Sequence, residues 1–237
     1  IRDRYSSCHA VAETQKHLSL LPGVTSNRYA VLKNLNLTTL ESLSQANPND
    51  LESYPEFPDG VGIQVVQQAQ SVQENKVILR NGKFIGKLES QVLPITDYQL
   101  IKLGNAPVEL YFDIEAQPEI NLDYLHGVLV VDKRDNTKKF YVHLAENPLD
   151  EELIWSQFLD LVWKYPLAPI YHFCEYEIKT VKKLATLYKT PTYQWQPLLN
   201  RFVDVHQVVT QNITLPIESY TLKNIAPVSY THLTLPT

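Results

Sequence analysis

Apolar and polar residues alternate through Val108-Glu-Leu-Tyr-Phe-Asp-Ile-Glu115, a period of two that predicts a strand. Successive side chains of a strand point to opposite faces, so Phe112 and Ile114 take one face while Asp113 and Glu115 share the other. Leu125 to Asp132 and Lys139 to Leu144 read as two more strands, joined by a turn at Asp135-Asn136, which predicts an antiparallel meander. The period then changes. Leu153, Ile154, Phe158, Leu161 and Val162 recur at helical spacing behind the acidic opening Asp150-Glu-Glu, and the helix is expected to stop before Pro166. Pro169 to Cys174 predicts a short strand, Tyr176 to Lys189 a helix, and Phe202-Val-Asp-Val the start of a further strand or helix.

The order β-β-β-α-β-α-β is that of a ribonuclease-H-like mixed sheet, an α/β class with helices packed on the sheet faces. Upstream, residues 9–73 show helical periodicity broken by Gly and Pro, with Thr38 or Thr39 as an N-cap before Leu40. Leu-Leu-Pro-Gly23-Val and Asp59-Gly-Val-Gly62 each precede a helix. This pattern resembles helix-hairpin-helix modules, which offer backbone amides to a DNA phosphate. The resemblance implies a weak, sequence-independent contact at Gly23, with Lys16, Arg28 and Lys33 as nearby cations; the plainer alternative is a helical packing domain with glycine turns. Asn81-Gly82 between apolar runs predicts a hairpin. The expected plan is therefore a helical module over 1–74, a connector with a small hairpin over 75–107, and a nuclease-like domain over 108–227.

Composition narrows the partner. The chain has 237 residues, 44 % of them apolar, and a formal charge of −5. That balance argues against a broad basic surface, so a nucleic-acid partner would have to be held by metal ions or local contacts. Two cysteines cannot build a disulfide scaffold, and no stretch has the length of a membrane span, so a cytoplasmic protein is expected, with no membrane and no protein partner indicated. The chain contains no methionine, and Val228 to Thr237 resembles a translated sequencing adapter, so a fragment cut at both ends is expected and the tail is set aside from the fold.

Asp113 and Glu115 carry the chemistry. Two acids packed into an otherwise apolar central strand would be costly without a cation between them, which points to Mg²⁺ or Mn²⁺. Tyr-Phe-Asp113-Ile-Glu115 resembles the first motif of DEDD-type 3′-to-5′ exonucleases, in which both acids bind metal. Ile170-Tyr-His-Phe-Cys-Glu-Tyr-Glu177 resembles their second motif, with His172 at its polar position and Glu177 where an Asp is usual. The match extends over residues 5–226, through Arg201-Phe-Val-Asp-Val and Ser219-Tyr-Thr-Leu-Lys, and looks like the RecB-like nucleases of bacteria, cyanobacterial ones in particular.

That resemblance implies two-metal phosphodiester hydrolysis of DNA or RNA, with Asp113, Glu115 and Glu177 as ligands and His172 positioning a phosphate. It also implies an iron-sulfur cluster in a region upstream of this sequence. Cys8 would be its last ligand and here is expected to be a free thiol. The final metal-binding aspartate of the family would follow Ala226, so this fragment is expected to be inactive. The alternatives are a non-catalytic nucleic-acid-binding module with a degenerate nuclease fold, or a protein-interaction scaffold. Asp204 is expected to cap the helix after it, and His126 and His143 have no spacing that suggests zinc.

Overall fold

The computed structural model describes residues 11–12, 14, 17–80, 84–87 and 106–226. Cys8, Lys16, the Asn81-Gly82 turn and the tail from Val228 lie outside the described residues. Contacts divide the chain into two units, Ile101–Val208 and the segments on either side of it.

The first unit opens with helices α1 (Ser26–Asn34), α2 (Leu40–Ser44), α3 (Pro48–Leu51) and α4 (Val61–Glu74). Thr25 caps α1 by accepting from the Arg28 amide, and Thr39 forms a capping box with Ser42 ahead of α2. Their apolar faces close a core around Leu18, Leu32, Leu43, Leu51 and Phe57, all fully buried. Gly62 is forced by packing, because a Cβ there would lie 2.6 Å from the Pro48 carbonyl oxygen. Strand β1 (Lys76–Leu79) pairs antiparallel with β2 (Phe84–Lys87).

The second unit is a five-stranded mixed sheet in the order β5-β4-β3-β6-β7. Strands β3 (Val108–Gln117), β4 (Leu122–Asp132) and β5 (Thr137–Leu144) form the antiparallel meander. Helix α5 (Glu151–Trp163) leads to β6 (Ile170–His172), which pairs parallel with β3. Helices α6 (Tyr176–Leu187) and α7 (Thr192–Leu199) precede β7 (Phe202–Asp204), parallel to β6. The expected order is present with one addition, α7, whose internal Pro197 obscured its period in the sequence.

One sheet face is dry. Leu110, Phe112 and Ile114 of β3 and Val128 and Val130 of β4 pack under Trp155, Phe158 and Val162 of α5 and Val181 and Leu184 of α6. Phe112 stacks on Phe158 with ring centroids 4.2 Å apart. Arg201 closes the end of α5, its guanidinium donating to the carbonyls of Val162, Tyr165 and Ala168. Burial holds that guanidinium below its ordinary pKa.

Helix α8 (Val205–Asn212) follows β7, and β8 (Ile213–Thr214) then pairs antiparallel with β1. By contacts, residues from Val209 group with the first unit. There Leu215 and Ile217 join Val77 in a small core, and the Gln68 side-chain amide donates to the Leu215 carbonyl.

Candidate functional site

Tyr111, Asp113 and Glu115 follow one another on the face of β3 turned away from α5, and all three are exposed. Here the expectation is corrected: the acids are not packed into an apolar layer. The strand is apolar on the face of Val108, Leu110, Phe112 and Ile114, and Tyr111, Asp113 and Glu115 between them meet solvent. Paired acids therefore carry no desolvation penalty, and the room around them is open to water and phosphate. The β3–β4 register shifts between Glu115 and Ala116, a bulge at the end of the acidic run.

Register extends this face into a surface. Asp113 lies opposite Gly127 on β4, and Gly127 opposite Val142 on β5. Tyr111 lies opposite Leu129, which lies opposite Phe140. Glu115 lies opposite Leu125, and Leu125 opposite Leu144. Phe140, Val142 and Leu144 are all at least half exposed. A Cβ on Gly127 would lie 3.2 Å from Phe140 Cζ, so the ring lies over the glycine that stands opposite Asp113. Tyr111 rests against Tyr171 of β6 with centroids 5.2 Å apart. Its hydroxyl donates to Glu109, whose carboxylate also takes Lys133 Nζ at 2.6 Å. Burial first, then Glu109, raises the Tyr111 pKa well above the usual phenol range.

His172 and Glu177 are brought together, but on the other side of the pleat. Ile170 pairs with Leu110 and Tyr171 with Tyr111, so His172 falls on the helix-covered face, where its ring meets Phe202 at 5.3 Å. Glu177, in the first turn of α6, places Oε2 3.5 Å from His172 Nδ1, and both side chains are almost completely buried. Among the described residues, no group of three or more His, Cys, Asp or Glu is close enough to hold a metal ion. Asp113 and Glu115 are thus one pair, and His172 and Glu177 a separate one.

Asp204 caps α8, accepting from the Gln207 amide at 3.3 Å, and also accepts from the Cys174 amide at 3.0 Å. Cys174 has φ +69°, a left-handed turn held by that carboxylate between β6 and α6. His126 is fully buried beside Phe112 and Phe158. Burial lowers its pKa to about 4. His143, its cross-strand neighbour, meets Gln157 of α5 at 3.1 Å.

Sequence reasoning missed a buried polar cluster at the hairpin end of β3 and β4. Asp123 accepts from Tyr176 at 2.9 Å and from Lys183 at 2.8 Å, while Glu151 accepts from the Asp123 amide at 2.7 Å and from Tyr188 at 2.5 Å. These bonds tie α5 and α6 to the strand end that carries Glu115. The available signal was Asp123 inside an otherwise apolar strand start, Leu122-Asp-Tyr-Leu-His.

Of the proposed contacts in the first unit, Gly23 is exposed with φ +87° and Lys33 is exposed. Arg28 is committed to structure: it donates to the carbonyls of Gly23 and Glu56, each at 2.7 Å. Among the described residues no helix is long and apolar enough to cross a membrane.

A family model described as RNase H superfamily matches residues 110–231. No curated protein and no solved structure matches the chain.

Proposed function

The chain belongs to the RNase H superfamily, and from that premise we propose that it hydrolyses phosphodiester bonds of DNA or RNA, as a 3′-to-5′ exonuclease, with Mg²⁺ or Mn²⁺ held by Asp113 and Glu115. The observation that carries this reading is the exposed acidic pair on one face of the central strand. Two carboxylates with open space around them suit a hard cation that keeps several waters and takes its remaining donors from a phosphate. A bound ion of this kind lowers the pKa of the attacking water and offsets the phosphate charge.

The protein's own contribution is placement. Phe112 and Ile114 are locked into the core, so the backbone between them sets the spacing of the two acids. The Asp123 cluster braces the strand end beyond Glu115. His172 and Glu177 are assigned a positioning role, since their pair packs behind β6 beside the turn at Cys174. A two-ion site would draw further donors from outside the Asp113–Glu115 pair. Among the described residues that pair has no third acid beside it, and turnover by this chain is expected to be slow.

The test has two arms. Calorimetric titration with Mg²⁺ or Mn²⁺ should show one weak site that Asp113→Ala removes. Of labelled single-stranded and duplex DNA and RNA offered in turn, at least one should be cut slowly with metal, and none without metal or by Asp113→Ala. Metal binding unchanged in Asp113→Ala, or cleavage that survives EDTA, overturns the reading. Among the described residues no third acid joins the pair, and this favours a second reading, a non-catalytic nucleic-acid-binding module. Oligonucleotide binding with no cleavage under either metal would decide for it.

A further inference from the structure

The acidic pair is bordered by an exposed aromatic surface, not by a basic one. Phe140 is 63 % exposed and Tyr111 42 % exposed, on the same face of the sheet as Asp113 and separated from each other only by Leu129. An exposed phenylalanine in a strand normally lies over its cross-strand neighbours. This one leans over Gly127, the residue directly opposite Asp113, where a side chain at that position would meet the ring. The glycine therefore leaves a flat ring over the residue directly opposite Asp113, on the strand beside the one whose carboxylate faces a phosphate in the proposed reaction.

We infer that Phe140 is a stacking platform for an unpaired nucleobase, which makes single-stranded nucleic acid the substrate class of this site. The inference rests on the function proposed above. A broad basic surface is not what attracts the strand, because Glu109, Asp113 and Glu115 line this face of β3 and the chain as a whole carries −5. Stacking supplies an attraction that does not depend on charge, and every base offers a face to it. A base within a duplex has both faces covered by its neighbours, so the ring selects unpaired nucleotides. Lys138, exposed and two residues before Phe140 on the same face, stands where a backbone phosphate would pass. The acids at the centre of the surface argue against an apolar helix of another protein as the occupant, since docking one would desolvate both carboxylates.

The test uses the full chain and fluorescence anisotropy with a labelled single-stranded oligothymidylate and its oligouridylate counterpart, each with Mg²⁺ present. Phe140→Ala should weaken binding of either strand by roughly five- to one-hundred-fold, the range for loss of one stacked base. Phe140→Trp should restore it, and a duplex of the same length should bind weakly to all three proteins. Because Phe140 is an exposed residue of an edge strand, the variants should melt as the wild type does. Gly127→Val, which displaces the ring without removing it, should weaken binding in the same direction. Equal single-strand affinity of wild type and Phe140→Ala overturns the inference, as does a change confined to oligomeric state in light scattering. Those outcomes leave the metal reading intact, because Mg²⁺ binding at Asp113 is measured separately by calorimetry.

Discussion

Lys183 reaches from the middle of α6 to set its ammonium nitrogen 2.8 Å from Oδ2 of Asp123, an acid that is almost wholly buried at the start of β4. Lys183 keeps 32 % of its side chain in solvent, so the pair is half wet. Removing the acid leaves the Tyr176 hydroxyl and the ammonium without their partner. Asp123→Ala is expected to cost about 2–4 kcal/mol, somewhat below the full penalty for an orphaned buried charge. Asp123→Asn should cost less, and adding Lys183→Ala to Asp123→Ala should add little. Urea unfolding of these proteins and of Lys183→Ala alone checks this; full additivity would mean the two side chains do not interact.

His126 gives the protein an acid-sensitive core. Its folded pKa of about 4 lies below the ordinary 6.5, so the proton binds more tightly to the unfolded chain. Stability attributable to this residue is intact above pH 6.5 and is lost as pH falls toward 4, by up to roughly 3 kcal/mol. Desolvation is the main cause; Asp123 opposes it and the neighbouring His143 adds to it. His126→Phe should flatten this part of the profile. Denaturation midpoints measured from neutral pH down to about pH 4, compared between the two proteins, decide the matter: parallel slopes would assign the acid sensitivity to other groups.

How much of this was legible depended on whether the information is local. The strand around Asp113 and the helix behind Asp150 were readable because alternation and helical spacing belong to consecutive residues. The shared face of Asp113 and Glu115 followed from the same alternation. Their exposure did not, because burial of a strand face depends on what packs over it, and α5 and α6 cover only the side of Phe112. Nor could the sequence show that His172 lies on that covered side, which depends on the β3–β6 register. Gly127 beneath Phe140, strand against strand, and Asp123 beneath Lys183, strand against helix, likewise depend on how elements pack together. A glycine within Leu125-His-Gly-Val was the one local hint of a close approach.

Gly62 offers a direct test of the first unit. A methyl group there would meet the Pro48 carbonyl oxygen at 2.6 Å and Glu52 Cγ at 2.7 Å. The carbonyl belongs to the backbone and cannot swing away, so Gly62→Ala is expected to destabilise by about 1–3 kcal/mol despite alanine's better helix propensity. Gly60→Asn, at φ +80° with nothing within 4 Å of its would-be Cβ, should be tolerated far better. Thermal melting of the two variants ranks them; the reverse order would refute the close contact.

Metal binding should also register as stability. If Asp113 and Glu115 hold a divalent cation in the folded state alone, saturating Mg²⁺ raises the melting temperature, by the equivalent of about 2.7 kcal/mol at one hundred times the dissociation constant. Glu115→Gln should reduce the rise and Asp113→Ala remove it. A rise of equal size in all three proteins would place the ion elsewhere.

The return of β8 to β1 bears on how the molecule is made. Residues on both sides of Ile101–Val208 belong to one unit, so the chain leaves that unit unfinished, builds the other, and only then supplies Ile213 and Thr214 to pair with Leu79 and Ile78. During synthesis a ribosome delivers the whole central sheet before the strand that completes the earlier unit. Until then β1 has only its hairpin partner, and its other edge offers unpaired backbone groups to any neighbouring nascent chain.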